Sequence, residues 1–298
     1  MIKNQDITAY VALGVGIIAL SLSAMFVRWA NAPGPVTAFY RLSISLVIVS
    51  PFFIRELSRG LPGTSTHLVF PLLAGVFTAF DLGLWTSSLD YTTAANATLL
   101  GNTSPLWVAL GAWLFFHEVL SRKFWGGLIL ALMGALLIMG TDFIFHPRFG
   151  IGDVMATGTG VFYGCYFLAT QRSREKFSPV SHIWLTGVSA SLVLFIINLV
   201  LGNRLLGYPL QSWIVFVSTA IVSQLIGYLS LAYALGHLPA RIASPTMILQ
   251  PILTTILAIP LLGEIPSVWQ AIGGAIALAG IYLVNQSHQR TQAEIPNA

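Results

Sequence analysis

Charged side chains are scarce in this sequence: Asp, Glu, Lys and Arg make up 8% of its 298 residues, where an ordinary soluble domain holds roughly a quarter. That shortage excludes water as the solvent for most of the surface. Cysteine is scarcer still. Cys165 stands alone, so no intramolecular disulfide can form, and its place inside an apolar run marks it as a small packing residue. The histidines His67, His117, His146, His182, His237 and His288 are scattered near segment ends without i, i+4 partners, which removes the usual zinc spacings and leaves no metal or cofactor site to expect. Glycine-rich stretches such as GVGIIAL lie inside apolar runs with no following strand or lysine to cradle phosphate, so no ATP-driven pump is indicated. Basic residues form no patch outside the short connections, and nucleic acid drops out as a partner.

What the sequence has in abundance is apolar length. Hydrophobic residues reach 56% and the mean hydropathy is +0.80. Runs of about 20 residues, enough to cross about 30 Å of hydrocarbon at about 1.5 Å per residue, follow one another closely. They predict an all-α integral membrane protein with ten transmembrane helices, over 8–29, 36–55, 68–88, 94–116, 123–141, 153–171, 182–201, 210–235, 240–262 and 267–285. The longest connections run from Glu56 to His67 and from Asp142 to Asp153, too short for a water-soluble domain. Ala30-Asn31-Ala32 resembles a signal-peptidase site, yet the apolar stretch before it exceeds a signal core, and the first span is expected to be retained.

Cations set the orientation, because cytoplasmic loops accumulate Lys and Arg. With the amino terminus inside, the inner segments hold Lys3, Arg55, Arg59, Arg122, Lys123, Arg172, Arg174, Lys176, Arg241 and Arg290, and the outer ones Arg28, Arg148 and Arg204. Ten against three places the tails, 1–7 and 286–298, in the cytoplasm of a cell whose inner membrane holds the chain. The same asymmetry accounts for the net charge of +4.

The chain also repeats itself. Shifting 89–137 by 146 residues matches 12 of 49 positions without a gap, Pro105 with Pro251, Glu118 with Glu264 and Ser121 with Ser267 among them. Leu, Ala and Gly would coincide by chance in such a composition; aligned Pro, Glu and Ser would not. Two five-span units follow, 8–141 and 153–285, and the odd number per unit makes the repeat inverted. Glu118 and Glu264 close the fourth and ninth spans, where a carboxylate is expected to cap the next helix or mark a hinge. Pro105 and Pro251 fall inside those spans and each removes a backbone donor. A break of that kind survives in lipid only against protein or a watery cavity, so these spans should face inward.

SPLWVALGAWLFFHEVLSRKFWGGLILALMGALLI and QPILTTILAIPLLGEIPSVWQAIGGAIALAGIYLV both resemble the second half of the EamA-type unit of the drug/metabolite transporter superfamily, and FYRLSISLVIVSPFF resembles the second span of its first unit. The resemblance covers roughly residues 9–286. It implies a ten-helix exporter of small metabolites, with a central cavity lined by spans 1, 3, 4, 6, 8 and 9 and with spans 5 and 10 at the periphery. Small residues concentrate on those last two, Gly127, Ala131 and Ala135 against Gly273, Ala277 and Ile281, with a similar Gly160 and Gly164 face on the sixth. Such spacing lets backbones approach closely, either within the chain or across a homodimer.

Chemistry must come from the few polar groups at membrane depth. An ionisable residue there costs about 2.5 to 3.5 kcal/mol and normally faces a cavity or a partner. Arg41 and Asp81 each lie within two turns of an outer span end, and the repeat aligns them with Gly187 and Gly227, so whatever they do is done once. They either form a bridge that fixes the bundle, or Arg41 attracts an anionic group of a solute while Asp81 couples to protons. Around them stand Tyr40, Trp85, Asn96, Asn102, Tyr163, Gln224, Tyr228 and Gln250, either as interhelical hydrogen bonds or as a lining for an amphipathic solute such as an amino acid. The expectation is a secondary active transporter working by alternating access. A passive channel or facilitator is the alternative, although no charged ring or filter loop is present, and an enzyme would have Arg41 and Asp81 alone to work with.

Overall fold

The structure, a computed structural model, describes residues 4–60, 65–88, 91, 100–139, 150–262 and 268–293. Helices carry the whole architecture, and no strand occurs among the described residues. The first span is α1 (Asn4–Ser21) continued after a break at Leu22 by α2 (Ser23–Trp29). Then come α3 (Gly34–Leu57), α4 (Val69–Ser88), α5 (Ser104–Phe116), α6 (Arg122–Met139), α7 (Ile151–Arg174) and α8 (Pro179–Val200). A composite helix follows: α9 (Leu210–Ser218), a π segment (Thr219–Tyr228) and α10 (Leu229–Leu235). The stretch expected as the ninth span is again broken, into α11 (Ala240–Thr246) and α12 (Leu249–Leu262), and α13 (Val268–Ala293) ends the described chain.

Local chemistry explains the helix boundaries. Pro33 and Pro179 stand at or beside helix starts, where their fixed φ suits the entry and the missing N–H is not needed. Ser178 Oγ accepts from Ser181 N at 3.0 Å and Ser121 Oγ from Phe124 N at 3.1 Å, covering amides that the first turn leaves open. At the start of α7 the Asp153 carboxylate accepts from Gly150 N at 2.8 Å. His117 adopts a left-handed φ of 52° and stops α5, so that Glu118 N reaches back to the Ala112 carbonyl at 3.1 Å.

Among the described residues, seven helical stretches are long and apolar enough to cross a membrane: Ile7–Val27, Gly34–Leu57, Val69–Ser88, Pro179–Val200, Leu210–Leu235, Ala240–Leu261 and Val268–Ser287. Ser104–Phe115 is apolar but shorter; the expected fourth span began at 94, and 92–99 lie outside the described residues. Helices α6 and α7 fill the fifth and sixth places in the order. Polar residues at its ends, Asp153 and then Gln171, Arg172 and Arg174, dilute α7. Large apolar side chains face outward along the bundle, with Val47 71% and Phe115 68% exposed, a surface suited to lipid rather than water.

Helix α4 packs along both α7 and α8, α3 along α8 and the π segment, and α5 along α7 and α11. The first span lies against the π segment, α10 and α12. The pair α6 and α13 pack chiefly against each other. Small residues govern that last interface: a Cβ on Gly134 would sit 2.3 Å from Ala277 N, and one on Gly280 2.3 Å from Ala131 N. Ala131, Ala135, Ala277 and Ile281 are buried between them. The small-residue stripe is therefore used inside the chain. Gly160 and Gly164 do the same for α7, lying against the Leu100 carbonyl and Trp107 at the start of α5.

Candidate solute site

Arg41 lies about two turns into α3, on its buried face and 5% exposed. Its Nε donates to Gln224 Oε1 at 3.1 Å and its Nη1 to Ser23 Oγ at 3.1 Å, while the guanidinium carbon lies 5.2 Å from the centre of the Tyr228 ring. Two helix interruptions supply these partners. Ser23 is the first residue after the break in the first span, and Gln224 and Tyr228 belong to the π segment, four residues apart on one side of the wider turn. All of Arg41's acceptors are neutral.

Asp81, 6% exposed, sits on α4, where its backbone carbonyl accepts from Thr159 Oγ1 of α7 at 3.3 Å. Arg41, Tyr163, Tyr166 and Tyr228 are its neighbours. Yet among the described residues no hydrogen bond or ion pair joins Asp81 to Arg41. The rings of Tyr163 and Tyr166 stack at 6.0 Å, and Tyr166 meets Tyr228 edge-on at 5.5 Å. The result is a cluster of one guanidinium, one carboxyl group and three phenols, drawn from α3, α4, α7 and the π segment.

Two units of the chain, residues 7–140 and 150–286, match the family model described as the EamA-like transporter family. The chain belongs to that family. Among relatives of this EamA-like protein, an uncharacterized transporter of Archaeoglobus fulgidus is 30% identical over 85% of this chain and 88% of its own. The uncharacterized transporter YdfC of Bacillus subtilis is 24% identical over 89% of each chain. A protein of Streptantibioticus cattleyicolor named a probable terminal-alkyne amino-acid exporter is 23% identical over 68% of each. A crystal structure superposes with a TM-score of 0.77 at 18% identity, covering 95% of this chain and 98% of that one, which establishes the fold. The EamA-like chain is thus a multi-pass membrane transporter.

The other residues singled out from the EamA-like sequence are dispersed. Tyr40 donates to the Leu205 carbonyl and stacks on Phe216 at 4.8 Å, in an apolar cluster with Trp213 and Val36. Gln250 serves the broken first span: its Nε2 donates to the Leu20 carbonyl at 3.3 Å and its own carbonyl accepts from Ser21 Oγ at 3.2 Å. Thr254 Oγ1 donates to the Ser21 carbonyl at 3.1 Å. Trp85 lies beside Gly101, and Asn102 is in the turn ahead of α5. Asn96 and Glu264 lie outside the described residues.

Pro105 and Pro251 differ from expectation in position. Each falls in the first turn of a helix, second in α5 and third in α12, where the missing N–H would have had no intrahelical acceptor. In the ninth span the interruption, Met247–Ile248, therefore precedes the proline. Glu118 does not cap α6, a place taken by Ser121; its carboxylate pairs instead with the Arg241 guanidinium at the start of α11, each side chain 22% exposed. The same end of the bundle carries a second tie, from the Glu56 carboxylate to the hydroxyls of Ser178 and Ser181.

Residue patterns alone missed Ser23, Tyr166 and Arg241. Tyr166 had a signal, three residues after Tyr163 on one helix. Ser23 had none, because its reach to Arg41 depends on the break at Leu22.

Proposed function

We propose that this chain is a secondary active exporter of small amphipathic organic metabolites of the amino-acid class, working by alternating access with Asp81 coupled to protons. The buried, unbridged Arg41 and Asp81 carry the reading. Charges at membrane depth are costly enough that they ordinarily pair or face a solute path; these two remain apart beside an aromatic wall. A carboxylate would lie against Arg41, an ammonium or a proton at Asp81, and an apolar side chain against Tyr163, Tyr166 and Tyr228. The name of the Streptantibioticus relative supports this solute class.

Two inverted five-span units, ten spans in all, supply the motion in this proposal. The paired matches over 7–140 and 150–286 support it. So does the packing, because the first span lies on the eighth and ninth as the sixth lies on the third and fourth, while the second meets the seventh and the fifth meets the tenth. The cation count supports both termini lying on the cytoplasmic side of the cell membrane.

Flux in reconstituted vesicles tests the reading. Asp81→Asn should leave the protein folded and abolish dependence on a proton gradient; pH-dependent flux that persists unchanged removes the coupling role. Initial rates should plateau with solute concentration, whereas a passive pore would keep rising over the same range.

A further inference from the structure

Arg41 and Asp81 pose a physical problem. Whenever Asp81 is ionised, the two charges attract strongly in a low-dielectric interior, and a flexible arginine beside a carboxylate would be expected to close on it. Instead Arg41 Nε is held by Gln224 Oε1 and Nη1 by Ser23 Oγ, both at 3.1 Å, with Tyr228 against the guanidinium. Gln224 is 1% exposed, so its carbonyl oxygen has no competing water to satisfy it.

We infer that Gln224 and Ser23 are positioning residues: a neutral clamp that holds Arg41 off Asp81 and keeps both charges available to one dipolar solute. This rests on the transporter reading above for its purpose, but not for its geometry. Each half of the clamp stands on an interruption, Ser23 just past Leu22 and Gln224 within the π segment. The first of these is itself tied to the ninth span through Gln250 and Thr254. Movement of the first or ninth span is thereby transmitted to Arg41. Releasing the clamp lets Arg41 swing to Asp81, which neutralises both charges and closes the site without a solute.

A double-mutant cycle on thermal stability tests the clamp with no ligand present. The variants Arg41→Gln, Asp81→Asn and their double are compared in the native background and in Gln224→Met, which keeps the side-chain length and removes the acceptor. Coupling between Arg41 and Asp81 should be weaker natively and rise by about 3 °C or more in the Gln224→Met background, where direct contact adds to the through-space attraction. Coupling as large in the native background as in Gln224→Met, or none in either, overturns the proposal. Ser23→Ala, repeated in the same cycle, should act in the same direction, and it keeps the test open if Gln224→Met fails to fold.

A separate arm uses a panel of zwitterionic amino acids and their amides, read by thermal stabilisation. In Gln224→Met, binding of the amino acids that stabilise the native protein should weaken about tenfold, and adding Asp81→Asn should recover carboxylate binding because no bridge can then form. Failure of recovery alongside a positive cycle overturns the link to the solute. A native protein that binds none of the panel overturns the solute reading while the cycle still decides the clamp.

Discussion

Neutral partners are an unusual answer to a buried arginine, and they shape what Arg41 can do. A guanidinium committed to a carboxylate would have little left for a solute; one held by an amide and a hydroxyl retains its charge. Arg41→Ala should therefore weaken binding of carboxylate-bearing solutes by about tenfold or more, the worth of a charged hydrogen bond, and leave amides of the same solutes nearly unaffected. Competition binding on matched acid and amide pairs reads this directly, and equal losses for both would reassign Arg41 to bundle architecture. Tyr40, one residue earlier, belongs to that architecture, since its ring packs on Phe216 and its hydroxyl is spent on Leu205.

Helices in this protein do two kinds of work. The α6 and α13 pair is a rigid interface in which backbone meets backbone at Gly134 and Gly280. Gly134→Val should destabilise the protein by about 1 to 3 kcal/mol through overpacking, while Gly126→Val, on the same helix with nothing within 4 Å, should be close to neutral. Thermal melts in one detergent compare the two, and equal shifts would contradict the packing. The interrupted elements behave differently. Side chains of α12 satisfy carbonyls at the break in the first span, the condition under which irregular backbone is tolerated at membrane depth. Gln250→Leu removes the amide that covers the Leu20 carbonyl. It should slow transport severalfold with little change in solute affinity, as measured by rate and half-saturation in vesicles.

Across the molecule, the two units are tied at the end that carries most of the cations. Glu118 pairs with Arg241 and Glu56 is held by Ser178 and Ser181, each tie joining the first half of the chain to the second. By the 146-residue shift Glu264 matches Glu118 but Ala95 matches Arg241, so the sequence offers no equivalent ion pair for Glu264. Arg241→Glu should loosen that end and raise labelling of a cysteine placed at Ser23 by a reagent supplied from that side; adding Glu118→Arg should restore protection. The stability cost of losing the pair is expected to be small, about 1 kcal/mol or less, because both side chains are partly solvated. Labelling unchanged by either variant would leave the pair no part in gating.

How much of this was legible beforehand follows from the range of each interaction. Hydropathy, charge bias and helix caps depend on neighbouring residues, so the residue order alone was enough for the all-helical membrane class, the family resemblance and the expectation that Arg41 and Asp81 matter. Partnership was a different matter. Arg41 and Gln224 are separated by 183 positions, and Tyr10 and Asn285, joined by a 3.1 Å hydrogen bond, by 275. No local pattern encodes such a distance. Pro105 and Pro251 could be recognised as matched punctuation, but whether they broke a helix or began one depended on where the preceding turn unwound. Glu118 could be recognised as a helix-end carboxylate, but its choice between an amide and Arg241 was settled by the approach of α11. The sequence thus stocked the membrane interior with a few costly polar groups. Folding, by bringing interrupted spans together, gave Arg41 the neutral partners Gln224 and Ser23 in place of Asp81.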